Sequence, residues 1–223
     1  MPVHTHRWDL SPKEAIKLQK ELAGQVILKQ QMGSVKTVAG VDVGIRNGMA
    51  RAAAVVLDFP GLKVLDYAIA VHPVAFPYIP GLLSFREGPV ILEAVRKLAV
   101  QPDLIIFDGQ GRAHPRRLGI ASHIGLLLDL PAIGCAKSRL CGKHDLPDYH
   151  RGSHVPLLDK GEIIGAVLRT RSGVKPVFVS IGHRVDLTAS IKYVLACCQK
   201  FRLPETTRQA HRLATEGKIL TLA

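Results

Sequence analysis

The sequence predicts an α/β fold, and two patterns carry that prediction. Three apolar stretches between residues 35 and 71 follow one another with only short turns between them, which is typical of strands in meander order. Between residues 104 and 136, a short apolar run, an apolar helical stretch and a second apolar run succeed one another. Strand, helix and strand of these lengths indicate a parallel crossover. We therefore expect one α/β domain.

The length and charge of the chain narrow its class. The chain has 223 residues, with no internal repeat and no long linker, so a single domain is expected. Its hydrophobic fraction of 47% argues against a disordered protein. The 30 Lys and Arg residues outnumber the 18 Asp and Glu residues, which gives a formal net charge of +12. This charge indicates a polyanionic partner, most often nucleic acid and less often an anionic membrane surface, with a basic surface kept for solubility as the alternative.

Other features argue against membrane and secreted classes. The longest wholly apolar stretches, such as Ala52 to Leu57, are far too short to span a bilayer, and the polar start of the chain does not resemble a secretory signal. The four cysteines have neither CxxC spacing nor a paired zinc pattern. Cys197 and Cys198 are adjacent in an apolar helical stretch, where cysteine behaves as a small hydrophobe. We expect a reduced, cytoplasmic protein with no membrane partner.

The elements are assigned in chain order. Ser11-Pro12-Lys13-Glu14 is a capping box with proline at the first helical position, so a helix is expected from here to about Lys29. The stretch from Pro73 to Pro89 holds four prolines and two glycines and is not expected to be regular throughout. Strands are predicted at Val35 to Val43, Met49 to Leu57, Lys63 to Val71, Leu104 to Phe107, Ala132 to Ala136, Val155 to Asp159, Glu162 to Arg169 and Val177 to Ile181. Further helices are predicted at Val90 to Ala99, at Gly119 to Leu128, after Asp186 and after Pro204.

Two carboxylates stand out because their neighbours are apolar. Asp42 lies inside a strand otherwise without charge, and Asp108 ends a strand that is expected to be buried on both faces. An ionised carboxylate in such a place is costly unless it is paired or bound to a metal ion. Because ligands bind at the carboxyl ends of strands in open α/β sheets, both residues are candidates for an active site. A structural ion pair or a helix cap is the alternative for each.

A third carboxylate, Glu87, precedes the helix predicted at Val90. Taken alone, it is explained by charge compensation at a helix start. Three carboxylates from separate elements, however, match a hard divalent cation, which takes oxygen ligands and keeps water molecules for a phosphate substrate. With Mg²⁺, such a site would activate water for the in-line displacement of a phosphodiester. A basic surface beside an acidic metal site indicates a nuclease.

Two segments carry unusual backbone residues. Gly109-Gln110-Gly111 follows Asp108 directly, and its glycines indicate either a close approach of backbone to a planar ligand or a plain turn. As a dinucleotide fingerprint it lacks the third glycine at the required spacing. In Pro77-Tyr78-Ile79-Pro80-Gly81, two prolines stiffen an apolar and aromatic tip, which is suited to a wedge in a duplex stack. A loop that packs Tyr78 and Ile79 on the core is the alternative.

Five segments of the chain match one known family in the same order: Gly40 to Val43, Pro77 to Glu87, Phe107 to Gly111, Ala113 to His123 and Ile133 to Leu140. Together they closely resemble endonuclease V, the deoxyinosine 3′-endonuclease. The resemblance is dense from about residue 38 to 142 and looser toward the C-terminus. The chain departs from the family after Asp42-Val43, because Gly44-Ile45 stands where a small or polar residue and then an aromatic one are common.

The resemblance implies a ribonuclease H-like fold, with a mixed central β-sheet flanked by helices on both faces. Residues 1–223 would form a single domain with a core of about 35–200 and helical N- and C-terminal extensions. The resemblance also implies a DNA repair endonuclease that recognises deaminated bases, chiefly deoxyinosine, and hydrolyses the second phosphodiester bond 3′ to the lesion. Mg²⁺ would be its cofactor, Mn²⁺ would substitute for it, and no organic cofactor is implied.

The same resemblance implies the site residues. Asp42, Asp108 and Glu87 would hold the metal. Lys137 would contact a phosphate near the scissile bond and His211 would match the C-terminal active-site histidine, which completes the predicted catalytic set. The wedge that replaces an extruded base would consist of Pro77, Tyr78, Ile79 and Pro80. The lesion pocket would be lined, largely through backbone groups, by Gly81, Leu83, Gly109, Gly111, His114 and Ile120.

Three alternatives stay open on the sequence alone. The same fold could act on inosine-containing RNA or on branched DNA. The chain could also be a basic nucleic-acid-binding module without catalysis, although a binder has no need of three acids facing phosphates. A small-molecule phosphotransferase is disfavoured, because no phosphate-binding GxxxxGK[ST] loop occurs.

Overall fold

Eight strands and five helices make up the part of the chain that the computed structural model describes, residues 5–217. The strands are β1 (Thr37–Arg46), β2 (Met49–Asp58), β3 (Val64–Pro73), β4 (Leu104–Phe107), β5 (Ala132–Ala136), β6 (His154–Asp159), β7 (Glu162–Leu168) and β8 (Val177–His183). The helices are α1 (Pro12–Ala23), α2 (Leu83–Arg96), α3 (Ile120–Leu128), α4 (Leu187–Cys197) and α5 (Glu205–Glu216). Within this part of the chain, no helix has the length and apolar character that a membrane crossing needs.

All of these strands belong to one mixed sheet in the order β3-β2-β1-β4-β5-β8-β7-β6. β1, β2 and β3 form an antiparallel meander, and β4 lies parallel to both β1 and β5. β5, β8, β7 and β6 pair antiparallel. The meander, the crossover through α3 and the hairpin of β6 and β7 confirm the sequence predictions. The mixed sheet also agrees with the ribonuclease H-like fold that the resemblance implies.

Different helices cover the two faces of the sheet. On one face, α4 contributes Val194 and α5 contributes Leu213 to a buried apolar cluster. On the other face, α2 contributes Val95 and α3 contributes Ile124. α1 packs against α3 and so extends this second layer. The central strands are therefore buried on both faces, as their continuous apolar runs predict.

Glycines in β1 allow α5 to approach the sheet closely. A Cβ atom on Gly40 would lie 2.1 Å from the carbonyl oxygen of Thr206, and one on Gly44 would lie 3.4 Å from that of Ala214. Because alternate residues of a strand point to one face, Asp42 between these glycines faces α5 as well. The close approach of α5 therefore requires glycine at Gly40, whereas a Cβ atom at Gly44, where the sequence departs from the family it resembles, would make an ordinary contact.

α1 ends earlier than its sequence predicts. The helix stops at Ala23 and not near Lys29, with Gly24 as its C-cap. The following segment forms a hydrogen bond with the residue after β8 instead: the backbone N–H of Arg184 donates to the carbonyl oxygen of Ile27 at 2.8 Å. Tertiary hydrogen bonds therefore replace the last helical turn that the apolar spacing suggests.

α2 begins earlier than its sequence predicts. It starts at Leu83 and contains Pro89, so the prediction of a helix beginning at Val90 was wrong. A proline inside a helix removes one backbone hydrogen bond. The helix nevertheless buries Val90 and Ile91 almost completely, and this apolar burial outweighs the missing bond. As a consequence, Glu87 lies within the helix and not ahead of it.

Candidate active site

Asp42 and Asp108 come side by side because their strands are neighbours in register. β1 and β4 run parallel and pair residues 38–41 with residues 104–107. The two aspartates are the next residues along their strands, at the edge of the sheet where parallel strands place their carboxyl ends. The strand order thus converts two isolated acids into an acidic pair.

His211 reaches this pair from α5. Its Nδ1 atom lies 2.7 Å from Oδ2 of Asp42, whose side chain is 17% exposed. When the imidazole is neutral and donates from Nδ1, its Nε2 atom is an acceptor. The C-terminal helix therefore brings a proton-transferring group to the acidic pair, which is the position that the resemblance implies for His211.

Lys137 follows β5 and contacts the second acid. Its Nζ atom lies 2.5 Å from Oδ2 of Asp108, while the side chain of Lys137 remains about half exposed. Burial raises the pKa of Asp108, and the hydrogen bond and charge of Lys137 oppose that rise. The exposed ammonium group offsets the charge of the acid and is accessible to an anionic substrate.

Glu87 approaches the two aspartates from the opposite layer. It belongs to α2, which packs on the face of the sheet away from α5. Burial raises the pKa of Glu87 to about 8, and the charges of Asp42 and Asp108 add to the rise while that of Arg86 opposes it. Without a compensating cation, this carboxyl therefore holds its proton at neutral pH.

The three carboxylates fit a hard divalent cation by their donor chemistry. Carboxylate oxygens are preferred ligands of Mg²⁺ and Mn²⁺, and burial together with the charges of Asp42 and Asp108 raises the pKa of Glu87. One oxygen of Asp42 and one of Asp108 are paired here with His211 and Lys137. Among residues 5–217, no three His, Cys, Asp or Glu side chains form a metal-binding group. The three-carboxylate ligand set therefore stays a prediction.

A cavity of about 330 Å³ opens beside Asp108. This volume lies within the range of small-molecule sites. The structure brings five of the predicted lesion-pocket residues into its lining: Gly81, Leu83, Gly109, His114 and Ile120. Three residues of the predicted wedge and two of the predicted catalytic set also line it: Tyr78, Ile79, Pro80, Asp108 and Lys137. The cavity therefore connects the proline-rich loop with the acidic pair.

Gly111 and Pro77 lie outside this lining. The N–H of Gly111 donates to Oγ of Ser180 at 2.9 Å, and a Cβ atom here would lie 2.1 Å from the carbonyl oxygen of Ile181. Close packing against β8 requires this glycine, so the expectation that it lines the pocket is corrected. Pro77 lines a separate groove beside Trp8, on the other side of the loop.

The proline-rich loop divides into an exposed and a packed part. Tyr78 is 70% exposed, whereas Ile79 packs against an apolar cluster beneath α1. The alternative of a loop packed on the core therefore holds for Ile79 and not for Tyr78. An exposed aromatic ring at the rim of a cavity is available for stacking on a nucleic-acid base.

A second cavity, of about 310 Å³, lies between Asp108 and α5. Asp108 and Lys137 line both cavities, and α5 adds Arg208, His211 and Arg212 to the second. Basic side chains of this kind supply most contacts to phosphate groups in nucleic-acid complexes. The acidic pair therefore lies between a cavity lined mostly by uncharged residues and a second cavity with a basic wall.

Sequence reasoning missed two buried polar residues of the first cavity, Gln19 and Gln110. Gln19 is 1% exposed and Gln110 is 8% exposed. Gln19 stands four residues after Ala15 and three before Leu22, so a polar residue on the apolar face of α1 was an available signal. Gln110 donates to the carbonyl of Ser138 at 2.9 Å, and its Oε1 atom has no hydrogen-bond partner among the described residues. Its position between two glycines was its only sequence signal.

The sheet order and the acidic strand ends together place the chain among the nucleases with a ribonuclease H-like fold. A family model described as Endonuclease V matches residues 20–212. The chain belongs to the endonuclease V family, and is therefore a hydrolytic endonuclease of DNA repair.

Relatives and solved structures agree over nearly the whole chain. Endonuclease V of Roseiflexus sp. strain RS-1 is 55% identical over 212 residues, covering 95% of this chain and 96% of that one. The crystal structure of endonuclease V from Streptomyces avermitilis matches with a TM-score of 0.90 at 48% identity, covering 94% of each chain. A structure of endonuclease V from Ciona intestinalis, in complex with a 24mer DNA containing an inosine followed by a ribo-adenosine, matches with a TM-score of 0.79 at 26% identity. It covers 92% of this chain and 96% of that one.

Proposed function

We propose that this endonuclease recognises deaminated bases in DNA, chiefly deoxyinosine, and hydrolyses the second phosphodiester bond 3′ to the lesion with the help of Mg²⁺. The observation that carries the proposal is the junction at Asp108 and Lys137, which line both the cavity under Tyr78 and the basic cavity along α5. If a base is held in the first cavity, the DNA strand that carries it can continue past the acidic pair. The inosine-containing DNA in the Ciona intestinalis structure supports inosine as the base.

Asp42 and Asp108 would hold the divalent cation, with Glu87 as the third carboxylate. When bound, Mg²⁺, or Mn²⁺ in its place, supplies Lewis-acid stabilisation of the phosphate and lowers the pKa of a water molecule. The chain would contribute the carboxylates of Asp42 in β1, Asp108 directly after β4 and Glu87 in α2, and the charges of the two aspartates act on Glu87. A cation there would favour the charged form of Glu87, so that its proton leaves when the site is loaded.

His211 would move the proton of the reaction. Asp42 accepts from Nδ1 and so holds the ring in one orientation. The Nε2 atom would then take a proton from the attacking water or, once protonated, give one to the leaving oxygen. The half-exposed ring is accessible to the substrate strand on the side of the second cavity.

Lys137 would stabilise the negative charge that develops on the phosphate. Its ammonium group is already held at the acidic pair by Asp108 and needs little movement to meet a phosphate oxygen. Preorganised cations beside a reacting phosphate are among the largest contributions to catalysis of this type. Lys137 would therefore pair with Asp108 in the absence of substrate and contact a phosphate group of the substrate when it is bound.

The lesion would be recognised outside the helix stack. The deaminated base would enter the cavity lined by Gly81, Gly109 and Ile120, while the exposed ring of Tyr78 would fill the gap it leaves. Extrusion costs a few kcal/mol, and it costs least where pairing is already weakened. Weak pairing of a deaminated base therefore contributes to selection before the cavity is reached.

A cleavage assay tests this function. Wild-type protein is expected to nick a labelled duplex with one inosine only when Mg²⁺ or Mn²⁺ is present, and to place the nick at the second phosphodiester bond 3′ to it. The same duplex with adenine at that position is the control, and the fragment length gives the position of the nick. Nicking in EDTA would contradict the metal dependence, and a nick at another bond would contradict the proposed position.

An inosine-containing RNA strand is a second candidate substrate. The nucleic acid in the Ciona intestinalis complex has a ribo-adenosine directly after the inosine, so that protein accommodates a 2′-hydroxyl there. We propose to compare incision of strands that are all DNA, all RNA, or DNA with a single ribonucleotide after the inosine. Faster incision of the RNA strand would make RNA the preferred substrate.

We also propose a domain organisation and a cellular compartment for this protein. The chain would form one domain with a core of about 35–200, since all strands of the sheet lie between residues 37 and 183 and the terminal helices pack onto it. The cytoplasm would be its place of action, because all four cysteines are free in the structure, as is typical of a reducing compartment.

A further inference from the structure

We infer that Gln19, on the N-terminal helix α1, sets the base selectivity of the first cavity by holding its two walls, and the Arg116 donor to the carbonyl oxygen of Gly81, in place. The inference rests on the proposed function, because it concerns the cavity that would receive the extruded base. The hydrogen bonds of Gln19 go to Gly81, Leu118 and Arg116 and not to the acidic pair, so it is a positioning residue and not a catalytic one. Its partners lie in the two segments that form the walls of the cavity.

The hydrogen bonds of Gln19 join these two walls. Its Nε2 atom donates to the carbonyl oxygens of Gly81 and Leu118, at 3.0 Å in each case. Its Oε1 atom accepts from Nε of Arg116 at 2.5 Å. Gly81 ends the proline-rich loop, and Leu118 precedes α3. With 1% exposure, Gln19 therefore uses both ends of its amide on protein groups and holds the loop against the entry to α3.

The carbonyl oxygen of Gly81 is engaged by three donors. Besides Gln19, Nη2 of Arg116 lies at 2.8 Å and Nε2 of His114 at 3.0 Å. The backbone N–H of Arg116 donates to Nδ1 of His114 at 3.1 Å, so Nε2 carries the proton of the neutral ring and donates to Gly81. A carbonyl oxygen has two lone pairs. This one has no capacity left for a base.

A saturated acceptor discriminates between bases by their exocyclic groups. Adenine carries an amine that donates at the atom where hypoxanthine carries an oxygen that accepts. A free carbonyl in the cavity wall would pair with the amine and so favour the undamaged base. Because the Gly81 carbonyl is occupied, an amine that entered would find no acceptor there, and an unpaired buried donor is rejected. The cluster therefore acts against the wrong base.

Two substitutions separate the hydrogen bonds of Gln19 from its bulk. Gln19→Met keeps the length and helix propensity of the side chain but removes both donors and the acceptor. Gln19→Glu keeps the acceptor for Arg116 and removes the donors to Gly81 and Leu118. Lys17→Gly is the matched control, because Lys17 is exposed on the same helix and its replacement weakens α1 without changing the cavity.

The measurement is the ratio of the dissociation constants for two duplexes that differ only in adenine or inosine at one position, taken in EDTA so that no incision interferes. Gln19→Met and Gln19→Glu are both expected to lower the preference for inosine about tenfold. Gln19→Met releases Gly81, Leu118 and the anchored Arg116, and Gln19→Glu sets a carboxylate oxygen against the two carbonyl oxygens, so in both variants the wall that carries Gly81 shifts. Lys17→Gly is expected to keep the wild-type ratio. Gln19→Glu serves by itself if Gln19→Met does not fold.

Two results would overturn the role of Gln19: an unchanged ratio in the Gln19 variants, or an equal fall in the Lys17→Gly control, which would assign the effect to the stability of α1. The proposed function fails by a different result. If wild-type protein bound the adenine and inosine duplexes equally and nicked both alike with Mg²⁺, lesion recognition itself would be wrong, and the role of Gln19 would be wrong with it.

Discussion

The acidic pair and the first cavity share Asp108, yet they are built from opposite kinds of groups. In the acidic pair, each carboxylate meets a basic side chain, Asp42 the imidazole of His211 and Asp108 the ammonium group of Lys137. The opposite wall of the cavity holds no carboxylate in its hydrogen-bond cluster: the amide of Gln19 stands at its centre, backbone carbonyls accept from it, and the guanidinium of Arg116 is the charged donor. The imidazole of His114 in that wall is neutral, since burial together with the charge of Arg116 lowers its pKa to about 4.

This difference corresponds to two tasks. Displacement at a phosphate builds up negative charge, which cations and charged ligands stabilise. Discrimination between bases depends on the direction of each hydrogen bond, which neutral and fixed donors supply without attracting every anion. Changes in the acidic pair should therefore alter the rate of incision, and changes in the cavity should alter the choice of base.

The largest expected effect belongs to the acidic pair. Asp108→Asn removes a charged oxygen from the predicted metal site, and we expect the single-turnover rate on inosine DNA to fall about a thousandfold or more. Binding of the same duplex in EDTA should be unchanged or tighter, because a negative charge near phosphates is lost. Asp103→Asn is the control, because Asp103 directly precedes β4 and so lies at the opposite end of that strand from Asp108. Near wild-type incision by Asp108→Asn would remove this residue from the chemistry.

A smaller effect is expected at the rim of the cavity. Tyr78→Ala removes the exposed ring, and base–aromatic stacking of about 1–3 kcal/mol per base implies that the preference for inosine over undamaged duplex falls about tenfold. The affinity of the protein for Mg²⁺ should not change. Tyr67→Ala is the control, since Tyr67 is 54% exposed on β3, away from the cavity. If Tyr78→Ala kept the wild-type preference for inosine, the proposal that Tyr78 acts as a wedge would be wrong and the loop would serve packing only.

A third effect concerns the stability of the protein without metal and leaves incision aside. The pKa of Glu87 is about 8 in the folded protein, above its ordinary value of 4.5, mainly because of burial. Between these pH values the folded state keeps a proton that the unfolded state releases, so stability falls as pH rises. Glu87→Gln removes this loss, and we expect it to raise the free energy of unfolding in EDTA by about 2 kcal/mol near pH 8, with no gain near pH 4.5.

Glu93→Gln, on the same helix, provides a control of opposite sign. Hydrogen bonds from Lys97 and His72 lower the pKa of Glu93, so its carboxylate contributes stability above the ordinary pKa and loses it as pH falls. Glu93→Gln should therefore destabilise the protein near pH 8. Thermal unfolding of both variants across the pH range measures the contrast, and a shift of the same sign in both would contradict the assigned environment of Glu87.

Much of the fold and of the acidic pair could be predicted from the sequence. Asp42 and Asp108 were conspicuous because a charge within an apolar strand is costly. The strand, helix and strand pattern predicted the parallel crossover. Both signals are contained in continuous segments of the chain: the first depends on the immediate neighbours of each aspartate, and the second on residues 104–136.

Other features depend on contacts between distant segments. The start of α2 was missed because Pro89 suggests a break that burial of the helix overrides. Gly111 was assigned to the pocket because the sequence does not show whether a glycine near an active-site residue makes room for a ligand or for a neighbouring strand, which here is β8. Gln19 was missed because its partners are 62 and 99 residues away.

By itself, the sequence determined the class of fold, the two acids among apolar strand residues, the stiff aromatic loop and the basic charge, because each follows from composition or from residues close together along the chain. The tertiary structure alone decided that Asp42 and Asp108 are adjacent, that α5 brings His211 to them, and that α1 closes the far wall of the cavity. Strand order and helix packing set these distances, and they result from the burial of the whole sheet, which no local pattern encodes.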